Sequence, residues 1–80
     1  MSLTFIGKDE KSGNTGSPTV WVDLEVKDFV FQGIKADEAT ETEALATGNI
    51  PDHETIVRIP FRMIKAIREA CDAAERAGLL

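Results

Sequence analysis

Two hydrophobic periodicities divide this chain. Between residues 60 and 77, Met63, Ala66, Ile67, Ala70, Cys71, Ala73, Ala74 and Ala77 project to one side of a helix, with Ile64 at the margin. Arg62, Lys65, Arg68, Glu69, Asp72, Glu75 and Arg76 project to the other. The spacing predicts a helix over 60–77 with one face to be covered. Pro60 suits a first helical position, because the N–H it lacks would have no partner there. Gly78 suits the left-handed residue that closes a last turn. Over 19–27 the period is two: Val20, Val22, Leu24 and Val26 alternate with Trp21, Asp23, Glu25 and Lys27. A second strand is expected over 29–35, with Lys27 and Asp28 as a two-residue turn. That register sets Val26 opposite Phe29, Leu24 opposite Phe31 and Val22 opposite Gly33, all on the face that the helix would cover. On the reverse face it sets Trp21 opposite Ile34, Glu25 opposite Val30 and Asp23 opposite Gln32.

The remaining elements are shorter. Residues 3–7 read as a strand with Phe5 or Ile6 as its core contact. Residues 8–18 read as a flexible loop, since Ser12, Gly13, Asn14, Thr15, Gly16, Ser17 and Pro18 are all turn formers. Residues 37–46 read as a short acidic helix capped by Asp37, with Glu38, Glu41 and Glu43 toward the positive end of its dipole. Gly48 and Asn49 end it, and 51–53 form a turn. Residues 54–59 read as the last strand, feeding through Pro60 into the long helix. The expected fold is α+β: a small antiparallel sheet of three to four strands packed on one long C-terminal helix, with the acidic helix before the last strand.

Eighty residues make one domain, and a chain this short has a thin margin of stability unless stapled or oligomeric. The single cysteine, Cys71, excludes an internal disulfide, suits a reducing cytoplasm and is expected in the core. No stretch has the length of a transmembrane helix, and the N-terminus lacks the pattern of a signal peptide. The net charge of −5 is uneven. Residues 37–54 carry Asp37, Glu38, Glu41, Glu43, Asp52 and Glu54 with no Lys or Arg, and an acidic chain that clusters cations only on one helix face disfavours a nucleic-acid partner.

The candidate chemistry is sparse. A nucleophile needs a base and an orienting group, yet the only histidine, His53, lies in a turn, and the serines lie in the N-terminal segment and its loop. That loop runs into Pro18 and a strand, whereas a phosphate-binding loop ends in a lysine and a helix. Asp52, His53 and Glu54 are adjacent, not spaced to converge on a metal. Neither an enzyme, a cofactor nor a metal site is expected. Arg58, Arg62, Lys65 and Arg68 form a basic stripe that supports an alternative, a nucleic-acid-associated regulator. Against it, Lys65 and Glu69, Arg68 and Asp72, and Asp72 and Arg76 are spaced to neutralise one another on the helix surface. A solvated sheet face has no need of Trp21, Val30 and Ile34 together, so these three are the candidate partner interface. The alanines of the helix permit close approach, either to a sheet bearing Phe29 and Phe31 or to a second copy of the helix.

The stretches Thr4-Phe5-Ile6-Gly7-Lys8-Asp9, Ser17-Pro18-Thr19-Val20, Val30-Phe31-Gln32-Gly33, Pro51-Asp52-His53-Glu54 and Val57-Arg58-Ile59-Pro60 together resemble those of small uncharacterised actinobacterial proteins often encoded near helix-turn-helix regulators. Members of that family usually carry a tryptophan where this chain has Ile34, and a shorter C-terminal helix. The resemblance implies a cytoplasmic accessory protein and brings no catalytic motif. The expected function is a non-catalytic protein-interaction or regulatory module, self-associating as a homodimer or binding another protein, with the acidic 37–54 segment available to a basic partner. A small-ligand binder is a third class, which would need a pocket between the sheet and the acidic helix.

Overall fold

The computed structural model describes residues 3–11 and 16–78. It is α+β. Strands β1 (Leu3–Lys8), β2 (Thr19–Asp23) and β3 (Asp28–Gln32) form an antiparallel sheet in the order β1-β2-β3. Strands β4 (Ile34–Lys35) and β5 (Val57–Arg58) form a separate two-stranded ladder. Helix α1 (Glu38–Ala44) continues into a 3-10 turn at Leu45–Thr47, and a 3-10 turn at Phe61–Met63 leads into α2 (Ile64–Arg76). Residues 12–15, where much of the loop was expected, lie outside the described residues.

The β2–β3 hairpin closes earlier than the alternation suggests. Asp23 stops the strand: its carboxylate accepts from the N–H groups of Glu25 and Val26, and its carbonyl accepts from Lys27 N. Lys27 takes a left-handed φ of 71°. Side-chain turns of this kind are what Asp favours, and Lys27–Asp28 has no glycine to support a two-residue turn. Leu24 and Val26 therefore sit in a four-residue turn, exposed, instead of in the strand. The register becomes Val22 opposite Phe29, Trp21 opposite Val30, Val20 opposite Phe31, Thr19 opposite Gln32 and Asp23 opposite Asp28. Pairings have slipped by an even number of positions, so each residue that remains in β2 or β3 keeps its expected face while its expected partner changes.

A second correction concerns 29–35, which is not one strand. It breaks at Gly33, where a β-carbon would stand 2.6 Å from the Arg58 carbonyl oxygen and 2.8 Å from Ile59 Cδ1. Only glycine admits that approach. Beyond it, Ile34 pairs with Arg58 and Lys35 with Val57. The expected strand over 54–59 shrinks to Val57–Arg58, since Pro51-Asp52-His53-Glu54 is a turn closed by Glu54 N to the Pro51 carbonyl.

Helix α2 packs over β1 and β2. Met63 and Ala70 are buried with Val20 and Val22, and Ile6, Ile59, Ala66, Ile67 and Ala73 pack against that cluster. Small residues set the distance: a β-carbon on Gly7 would lie 2.9 Å from Ala66 Cβ. Pro60 is extended (φ −63°, ψ 150°) and sits one position before the 3-10 turn, not inside the helix, and its carbonyl accepts from Met63 N. Gly78, with φ 74°, ends α2 as expected, donating to the Glu75 carbonyl. Cys71 is exposed, contrary to its expected place in the core. It lies on the flank of the helix, past the edge of the strands that α2 covers. Phe5 is exposed too, and Ile6 makes the β1 contact with the core.

The acidic helix is capped as expected. Asp37 accepts from Thr40 N at 2.9 Å. None of its residues is buried.

Candidate interaction surface

The sheet has two faces and two edges, and α2 covers only part of one face. On the reverse face, cross-strand pairing places Phe5 opposite Trp21 and Trp21 opposite Val30. These three side chains form one apolar row across all three strands. The rows on either side are mostly polar: Leu3, Asp23 and Asp28 toward the hairpin turn, and Lys8, Thr19 and Gln32 toward the other end. Of the three residues expected to form an interface, Trp21 and Val30 are thus brought together. Ile34 is not: it lies in β4 beside Arg58 and is 71% exposed. Val30 takes the place opposite Trp21 that Ile34 was expected to take, and Phe5 flanks Trp21 from β1. The pairing of β1 with β2 was the missing signal, and it is obscured by a bulge between Phe5 and Gly7.

On the helix side, β3 projects beyond α2. Phe29 and Phe31 are 46% and 41% exposed, their rings 6.5 Å apart and tilted. They are not the large partners of the helix alanines; Val20 and Val22 fill that role, and Gly7 lets Ala66 approach closely. Between β3 and the flank of α2 lies an apolar cleft of about 340 Å³ with Phe29 on one wall and Cys71 and Ala74 on the other. A larger open groove, about 710 Å³, runs along β1 and α2 on the opposite flank. Near the acidic helix only a shallow hollow of about 270 Å³ occurs, at Thr47–Ile50 and Glu54–Ile56, away from the three-stranded sheet.

The basic stripe is partly used within the chain. Arg62 donates from Nε to both oxygens of Asp9 (2.9 and 3.0 Å) and from its terminal nitrogen to Oδ2 at 2.6 Å. Asp9 is nearly inaccessible, with its side chain 3% exposed, whereas that of Arg62 is 49% exposed. The carboxylate raises the Arg62 pKa above its ordinary value. Asp9 N also donates to the Pro18 carbonyl, so this residue ties the ends of the loop to the start of α2. Nothing in the local pattern marks Asp9, because its partner is 53 residues away. Arg58 donates to Thr40 Oγ1 at 2.6 Å and so pins α1 to β5. Hydrogen bonds from Thr40, side chain then backbone, hold Asp37 below the usual carboxylate value, and the Arg58 charge adds to this. Lys65 and Arg68 remain solvated, and the helix pairs expected to neutralise them do not close into salt bridges among the described residues. A phosphate-tracking surface is therefore reduced to two of its four cations.

His53 and Glu54 stand 4.0 Å apart in the exposed turn. Among the described residues, no three His, Cys, Asp or Glu side chains converge as metal ligands, and no helix is long and apolar enough to cross a membrane. The chain matches no family model, no curated protein and no solved structure.

Proposed function

We propose that this protein is a non-catalytic interaction module that works by presenting the reverse face of its sheet to a protein partner. The carrying observation is the Phe5–Trp21–Val30 row, an apolar stripe spanning three strands, along which no element among the described residues packs as α2 packs on the other face. The resemblance to small accessory proteins encoded near regulators agrees with a regulatory setting in the cytoplasm. The acidic face of α1 offers a second, charged contact for a basic partner.

The test is Trp21→Ala. Association is expected to weaken while the unfolding midpoint of the isolated chain stays within a few degrees of wild type. A collapse of the fold in that variant would make Trp21 a core residue and end the reading.

A further inference from the structure

We infer that the first partner is a second copy of this chain, joined edge to edge through β3 in an antiparallel pairing centred on Val30. This rests on the reading of the protein as an interaction module and names one of its contacts. The outer edge of β3 is unpaired among the described residues. So is that of β1, but the two edges differ in kind. β1 carries a bulge between Phe5 and Gly7 and ends on Lys8, features that discourage another strand from adding. β3 pairs with β2 without any shift, and Asp28-Phe29-Val30-Phe31-Gln32 contains no proline, lysine or arginine. Its backbone groups are open to a partner strand.

The strand is also complementary to itself. A two-fold axis at Val30 sets Val30 against Val30, Phe29 of each copy against Phe31 of the other, and Asp28 against Gln32. Like charges do not meet, and each aromatic finds an aromatic. The four phenylalanines would floor a trough between the two α2 helices, covering the part of β3 that a single helix leaves open. On the reverse face, the two Phe5–Trp21–Val30 rows would join into one row across six strands. The pairing runs along the strand edge and leaves the reverse face free for another protein.

Sedimentation across a micromolar series tests this with wild type, Phe29→Glu and Phe31→Lys. Wild type is expected at twice 8.7 kDa, and each variant alone at the monomer mass. An equimolar mixture of the two variants is expected to return to the dimer, because the register places an acid opposite a base at one pair and leaves Phe opposite Phe at the other. Monomeric wild type at every concentration would overturn the inference and leave the interaction reading to the Trp21→Ala test. A dimer that Trp21→Ala dissociates but the β3 variants do not would overturn it too, with the interaction reading intact. Should either charged variant fail to fold, the register is read by Val30→Cys in a Cys71→Ser background. Oxidation is expected to give a covalent dimer from Val30→Cys and none from Asp28→Cys, and the reverse result would reject the pairing.

Discussion

The two outer strands of the three-stranded sheet are treated oppositely. β1 lies under α2, so close that Gly7 meets Ala66, and its far end is clamped by Asp9 on Arg62. β3 has neither cover nor clamp, and it carries two exposed phenylalanines on its helix side. One helix is about 10 Å wide and strands lie about 4.8 Å apart, so a lone helix spans two strands and leaves the third. The chain spends its small residues on the covered side, where close approach is needed, and its aromatics on the side that stays open. If the chain associates through β3 as proposed, stability and self-association fall on different strands and are separable by mutation.

The largest expected difference is between Met63 and Phe31. Met63→Ala empties a buried site and should cost about 2–5 kcal/mol in denaturant unfolding. Phe31→Ser, measured on the monomer, should change stability by no more than about 0.5 kcal/mol. Equal costs would mean that β3 belongs to the core. Next comes Gly33→Ala, whose new β-carbon meets the Arg58 carbonyl at 2.6 Å; overpacking of that kind costs about 1–3 kcal/mol and should loosen the β4–β5 ladder. Amide exchange of Ala36, whose N–H donates to the Ile56 carbonyl next to this ladder, reads this directly.

Removing the clamp should do less. Arg62→Met leaves a nearly inaccessible Asp9 without this guanidinium and should lower the melting temperature by several degrees, with Asp9→Asn milder because the charge left behind, on Arg62, is half exposed to solvent. Since the pair raises the Arg62 pKa, its contribution on the arginine side is intact at all neutral pH values and is lost only in strong alkali. The Asp37 cap has the opposite sign. Its folded-state pKa lies below the ordinary 3.8, so its contribution is full above that value and fades as pH falls through the lowered one. Helical signal from α1 should weaken in wild type as pH falls below the ordinary value of 3.8, and that acid-induced loss should be smaller in Asp37→Ala. The smallest effect concerns Cys71: its exposed thiol should react with a small disulfide reagent in the native protein, and Cys71→Ser should leave stability unchanged. A thiol that reacts only on unfolding would return Cys71 to the core.

Much of this architecture was legible locally. The period of two over 20–23 places Trp21 on the face away from Val20 and Val22 whatever the strand pairs with, because an even slip in register preserves faces. The helical period identified the face on which Met63, Ala70 and Ala74 are buried, and Asp37 and Gly78 marked two element ends by their cap chemistry. These signals are carried by residues a few positions apart, so the amino-acid sequence by itself determined them. Other features depend on segments far apart in the chain, and only the tertiary structure decided them. One exception is local: Asp23 ends its strand because a side-chain turn to Glu25 and Val26 outcompetes two further ladder positions. Gly33 breaks the next strand because Arg58 and Ile59 crowd it from 25 residues away or more. Phe5 joins Trp21 because β1 pairs with β2 across a bulge, and Arg62 leaves the basic stripe because Asp9 folds against it. Periodicity sets which way a side chain points; the neighbour it meets there is set by long-range packing.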